Sequence, residues 1–419
     1  MKIKIAVCAA AVAIMLGLAA CSGTSPSGGD KVELTVWTGF TGGDRLGYAQ
    51  IVKDFNKTHS DVHVTMNVQP WDTIQQKLPS AWLTGQGPDL ATPSSDPNAV
   101  AQYVKTNSLL PITLTGSGDS KVNVDELAPG TVKEFTYDSK LYAVPANFAT
   151  LSLYYNKKAF AAAGIENPPT TVVEFKADAK KLTIDGGKTQ SGLVLADNQT
   201  IQMWPILQWL EGGDIVNSKN CSVVQTDAGQ ASLKPWADLV AKDGISPVGL
   251  TGAEADSLFS AGKAAMEING PWAASGYKAA GIDLGIVKVP TGVDGNATLG
   301  STAGLAISAK TKHPQEAQEF LAYWTSKSVQ KTFSLTTGFP PLRTDLADDA
   351  ALKADEVVSV FASQVPDARL YLPKVPNATT VDSDAYGTLI GQITRGTDIG
   401  TAAATAATAI NKLTGCTTP

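Results

Sequence analysis

The sequence predicts an α/β protein built from at least two units. Three observations carry this. Residues 32–92 run strand, helix, strand, helix, strand, an order that favours a mostly parallel sheet. Residues 151–268 repeat the alternation after a turn-rich zone. The chain has 419 residues, 43% hydrophobic and 17% charged, enough for two or three domains of ordinary globular composition.

The amino terminus is a targeting segment. Lys2 and Lys4 precede an apolar run, residues 5–18, too short and wrongly flanked for a membrane span. The run ends in Leu18-Ala19-Ala20-Cys21. This resembles the bacterial lipobox, in which the Cys is lipidated and residues 1–20 are removed; an ordinary signal peptide that happens to hold a Cys is the alternative. Residues 21–30 then form a Ser/Gly-rich flexible tether. Of the four cysteines, Cys8 falls in the signal and Cys21 at the lipid site. Cys221 and Cys416 remain, free thiols or a disulfide pair. An oxidising compartment permits the pair, but only proximity in the fold can make it. His59, His63 and His313 lack ligand spacing, so no metal or cofactor is expected. With net charge -6 and no basic cluster, nucleic acid is not an expected partner.

Taken in order, residues 32–37 alternate with β-branched side chains and form the first strand. The turn Thr38-Gly39-Phe40-Thr41-Gly42-Gly43 lacks the GxGxxG spacing of a dinucleotide site. Residues 46–56 are helical, with Tyr48, Ile51, Val52 and Phe55 on one face. Residues 62–68 are a strand. Residues 71–84 are a helix in which Pro79 predicts a kink or break. Residues 89–92 are a strand leading to the polar loop at Asp96. Residues 135–145 read as a hairpin with Asp138-Ser139 at its tip, and 151–156 as a strand. Helices over 157–163 and 172–182 follow, then a strand at 192–196 and a helix at 201–211. A strand at 223–226 and a helix to about 242 lead to residues 257–273, SLFSAGKAAMEINGPWA. Gly262 stops a helix there, residues 264–268 form a buried strand, and Trp272 follows the strand's carboxyl end. Ligands of open α/β sheets bind outside such ends. By itself, Trp272 is either a cleft floor or a residue packed between helix and sheet. Strands at 286–290 and 303–309, an amphipathic helix at 314–325 and a closing helix at 401–413 complete the chain.

Nine pieces, in order, resemble the extracellular solute-binding proteins of sugar ABC transporters, the maltose-binding-protein group. They are LTVWTGF, GQGPDL, LYAVPAN, LYYNKKAFAAAGIENPPTT, MWPILQWLEGGD, FSAGKAAMEINGPWA, KVPTG, AISAKTKHPQEAQEFLAYW and TGFPPLR. The resemblance implies a two-lobed fold of periplasmic-binding-protein type II, each lobe a mostly parallel sheet flanked by helices. It assigns residues 31–146 and 287–341 to one lobe and 147–286 and 342–419 to the other. It further implies a monomer that captures a carbohydrate, most simply an oligosaccharide, in the hinged cleft. A lipid anchor at Cys21 would hold it by its permease on the outer face of the cell membrane.

Sugars offer polar edges and apolar faces, so their sites join flat aromatics to carboxylates, amides and Arg. Trp272 falls on the family's stacking Trp. Trp37, Thr38 and Phe40 follow the first strand and line the first lobe's rim. Asp96 matches a hydroxyl-reading Asp, while Pro93 stands where relatives carry a stacking Trp. Asn147 and Phe148 lie at a crossover, and Trp204, Arg343 and Tyr386 complete the candidate set; core or salt-bridge roles are the alternative for each. Two other classes were weighed. Tyr154-Tyr155 is similar to the tandem tyrosines of ferric-ion-binding relatives, but no nearby His or carboxylate completes an iron site. A secreted glycoside hydrolase needs two carboxylates at a set separation. No hydrolase motif is present and no catalytic residue is assigned.

Overall fold

The computed structural model describes residues 31–94, 96, 98–114, 121–199 and 203–417. Cys21, the expected signal and the tether lie outside the described residues. The strands in chain order are β1 (Val32–Thr38), β2 (Val62–Val68), β3 (Leu90–Ala91), β4 (Thr136–Tyr137), β5 (Lys140–Leu141), β6 (Ala143–Pro145) and β7 (Ala149–Thr150). Then come β8 (Ser152–Asn156), β9 (Met266–Asn269), β10 (Leu284–Val287), β11 (Thr298–Ser301), β12 (Gly304–Ile307) and β13 (Ala368–Leu370).

The first sheet has the order β2-β1-β3-β12-β6. β1 runs parallel to β2 from Val32↔Val62 to Thr38↔Val68 and parallel to β3. The βαβαβ reading therefore holds, with helices Arg45–Thr58 and Trp71–Thr84 as its crossovers. The second crossover runs through Pro79 as one helix. β12 returns antiparallel to both β3 and β6. Asp138 and Ser139 both have positive φ, the conformation a two-residue hairpin tip requires.

The second sheet corrects the expectation of parallel strands. Its order is β10-β8-β9, and β8 is antiparallel to both neighbours. Residues 192–196 are not a continuous strand. Val194 N donates to Met266 O on one side, while Leu193 N donates to Ile245 O on the other. Only isolated parallel bridges form, Ser191↔Ala264 and Val194↔Glu267. Helix starts here follow local chemistry: Thr171 with Glu174, and Thr251 with Glu254, each close a capping box.

Two large hydrophobic cores result. The first joins Leu34, Tyr48, Phe55, Leu305, Phe320 and Trp324. The second joins Leu153, Phe175, Trp204, Trp236, Phe259 and Tyr386. The chain passes between them after Ala149, after Leu299 and after Leu342. The second passage comes later than residue 286, because the segment after β10 is pinned to the second core. Val289 N donates to Gln364 Oε1, and Val293 N to Leu210 O. β7, β11 and β13 form a small sheet where the passages meet. Cys221 and Cys416 are joined by a disulfide with Cα atoms 5.2 Å apart. It ties the loop before helix Asp227–Ala241 to the end of helix Ile399–Thr414. Among the described residues, no helix is long and apolar enough to cross a membrane.

Candidate functional site

The carboxyl ends of β1 and β3 lie at the seam between the two bodies. After β1 the chain turns through Gly39 to Asp44 and meets the second body at Trp272 and Ser275. A Cβ at Gly43 would collide with Ser275 Oγ, and one at Gly42 would lie 3.5 Å from Trp272 Cβ. After β3 the loop reaches residues 374–382. Asp96 Oδ2 accepts a hydrogen bond from Thr379 Oγ1 at 3.0 Å, and Asn98 Oδ1 accepts one from Lys374 N at 3.3 Å. Lys374 Nζ also donates to Lys133 O.

The first body's edge carries polar groups that the fold leaves unpartnered. Thr38 Oγ1 and Thr92 Oγ1, at the ends of β1 and β3, are buried without a hydrogen bond among the described residues. Asp44 and Glu134 are each 6% exposed, and neither carboxyl is hydrogen-bonded to another described residue's side chain. Burial lifts the Asp44 carboxyl to about 7. Burial also raises Glu134 and Asp96, against the opposing pull of Lys374 on the first and of Asn98 and Thr379 on the second. Across the seam, burial pushes Asp382 up to about 6, although Tyr371 Oη donates to it at 2.6 Å. Buried polar groups are almost always paired in folded proteins; Trp236 Nε1 and Ser334 Oγ, elsewhere in the fold, are the other such atoms among the described residues.

Aromatic faces accompany these groups. Trp272 is half-buried and packs against both cores. Its ring lies back over Gly270, where a Cβ would collide with the indole, and Phe339 of the first body is 6.2 Å away. Trp71 covers Gly39 in the same manner. Asp382 also lines a hollow of about 250 Å³ with Asp197, Ser383, Thr388 and Arg395. A larger hollow of about 360 Å³ lies beside Trp209 and Arg369. Its walls come from the second body and the crossover strand β13.

Of the residues singled out in the sequence, Trp272 and Asp96 make contacts between the two bodies, and Thr38 closes β1 just before the glycine turn. Trp37 is half-buried on β1 against the first core. Several assignments need correction, because packing and hydrogen bonding commit the side chains elsewhere. Phe40 stacks on Tyr48 at 3.8 Å within the first core. Asn147 gives its amide to Tyr48 Oη at 2.6 Å and accepts from Ala303 N, bracing a crossover. Phe148 belongs to the first core. Trp204 is fully buried and donates to Ala196 O at 3.0 Å. Tyr386 is fully buried and donates to Gln208 Oε1 at 2.8 Å. Arg343 forks onto Asp345, pairs with Glu126 and donates to Thr325 O, which commits its guanidinium within the protein. Sequence reasoning passed over Asp44, Glu134, Tyr371, Thr379 and Asp382. Asp44 had a usable signal, since it closes the glycine turn at a strand's carboxyl end. The others reach the seam only through tertiary packing.

A family profile described as bacterial extracellular solute-binding protein matches residues 50–359. The galactooligosaccharide-binding protein of Bacillus subtilis is 28% identical over 368 residues, covering 84% of this chain and 83% of that protein. The diacetylchitobiose binding protein DasA of Streptomyces coelicolor is 25% identical over 409 residues, covering 92% of each. The solved GacH receptor of Streptomyces glaucescens, crystallised unliganded and with acarbose, superimposes with a TM-score of 0.80 at 25% identity. That match covers 92% of this chain and 99% of the receptor.

Proposed function

The chain belongs to the bacterial extracellular solute-binding proteins, and we propose that it captures an oligosaccharide between its two bodies. The two cores act as the lobes, and the three chain passages as the hinge. The observation that carries the ligand class is the pair of unpartnered hydroxyls at the first edge, Thr38 and Thr92, with the buried carboxyls of Asp44 and Glu134, set against the aromatic surface of Trp272. A sugar supplies hydroxyl donors to the carboxyls and Thr oxygens, and C–H faces to the indole. Contacts to both lobes favour the closed form, since a ligand shifts an equilibrium by its differential affinity. The relatives named for galactooligosaccharide and diacetylchitobiose binding support the same class.

The seam does no chemistry in this reading; the ligand is bound and released intact to the permease of an ABC importer. Cys21 bears the lipid, two acyl chains suffice for stable anchoring, and the Ser/Gly tether lets a monomeric binding domain reach its permease. Calorimetric titration with a panel of neutral oligosaccharides tests the ligand class, with chromatography of each mixture for products. Saturable heat with intact sugar is expected. Product formation would replace the binding protein with a hydrolase, and heat only with non-sugar solutes would overturn the carbohydrate assignment.

A further inference from the structure

We infer that the buried carboxyl of Glu267 and the half-buried carboxyl of Asp256 share one proton and that this pair, acting through Asn269, positions Trp272. The inference rests on Trp272 being a ligand platform. Glu267 lies on β9 and is 1% exposed. It accepts a hydrogen bond from Tyr277 Oη, and the same hydroxyl lies 3.3 Å from Asp256 Oδ1. Asn269 Nδ2 donates to Asp256 Oδ1 and to Tyr277 Oη, both at 2.8 Å. Its Oδ1 accepts from Gly270 N at 2.8 Å. Tyr154 Oη donates to Gly270 O at 2.7 Å. Both backbone polar groups of Gly270 are thus held by side chains of one buried network. The Trp272 ring rests on that same glycine.

The titratable groups around the pair are acids and phenols alone. Asp256 comes from helix Gly252–Ser260, Tyr277 from helix Ala274–Ala279 and Tyr154 from β8. Among the described residues, no Lys, Arg or His contributes to either carboxyl's electrostatics. Two ionised carboxylates in contact inside a protein need a cation, and without one a proton must stay. Burial, with the Asp256 charge beside it, holds Glu267 well above the usual carboxylate range, so the proton resides there. The protonated carboxyl donates to Asp256. A raised folded-state value means that this arrangement contributes its full stability below the ordinary carboxylate value. The contribution is lost as pH climbs from there through the raised folded-state value. A second buried charge then forces Tyr277 and Asn269 to rearrange and frees Gly270 and the indole above it.

The test uses full-length, ligand-free protein and acrylamide as the probe. The Trp272 contribution to fluorescence is taken as the difference between wild type and Trp272→Phe, and its quenching is followed as pH is raised from the ordinary carboxylate range to the alkaline limit of folding. Quenching of that contribution should rise about twofold in the wild type as the turn loosens. Glu267→Gln mimics the protonated acid and should lose this rise, keeping only the background from Asp44 at the seam, which titrates in both proteins. Asp256→Asn removes the neighbouring charge and should move the transition to lower pH. Parallel curves for wild type and Glu267→Gln, or an unmoved midpoint in Asp256→Asn, overturn the inference. Failure of the platform reading shows separately, as unchanged sugar affinity in Trp272→Ala.

Discussion

The two edges of the seam are built on opposite terms. The second body's edge is over-satisfied: Asn269, Tyr277, Tyr154, Asp256 and Glu267 hold the turn before Trp272 in one hydrogen-bonded network. The first body's edge is under-satisfied, with Thr38 Oγ1 and Thr92 Oγ1 orphaned and two buried carboxyls lacking side-chain donors. One edge presents a fixed surface, and the other leaves valences open. A platform needs a single orientation, whereas hydroxyl recognition needs acceptors that no protein donor has taken. The difference also explains where stability is concentrated. Among the described residues the disulfide lies in the second body, and its sequence separation of 195 residues makes it a long loop closure.

The largest expected effect breaks the staple. Replacing Cys221 and Cys416 with Ser should cost about 2–5 kcal/mol of stability. Urea unfolding followed at both bodies checks this, and an equal loss in a seam-only readout would contradict the division of roles. Next, Trp272→Ala should weaken sugar affinity about tenfold or more, as expected for loss of a stacked aromatic. Calorimetry measures it, and unchanged affinity removes Trp272 from the site. Gly270→Ala should weaken affinity by less, since the Cβ displaces the indole without deleting it; displaced Trp emission in ligand-free protein is the direct check.

The first edge is probed by pH. The neutral Asp44 carboxyl is favoured by folding, because its folded value is about 7 against an ordinary 3.8. Its contribution is present below the ordinary value and is lost as pH rises through about 7. Ligand-free stability should therefore fall across that window, and Asp44→Asn should flatten the fall in thermal melts. The smallest effect is the most discriminating. Thr38→Val removes an orphaned hydroxyl, so the free protein should melt at the same temperature or higher, while sugar affinity falls by about threefold. A destabilised Thr38→Val protein with unchanged affinity would show that the hydroxyl serves the core.

The βαβαβ unit was legible because amphipathic period and turn residues are local, and β1, β2 and both crossover helices lie where those signals put them. The second sheet was misread because strand direction is not local: residues 192–196 have strand composition but divide their hydrogen bonds between Met266 and Ile245. The short crossover strands β11 and β13 carry too few residues for any period to register. Trp272 was found through a motif that sits directly on a strand end. Trp204 and Tyr386 have the same chemistry in sequence, yet each is buried with its polar atom already paired.

By itself, then, the sequence determined the class of the fold, the βαβαβ alternation that opens its first sheet, the helix stop at Gly262 and the aromatic at the end of β9. These follow from periodicity, propensity and motif, which act over a few residues. Only the tertiary structure decided which acids meet at the seam, which donors are used up inside the cores, and that Cys221 lies beside Cys416. Those outcomes depend on which distant segments share a dry interior. There, the cost of an unpaired polar group or an uncompensated charge decides what each side chain is free to do.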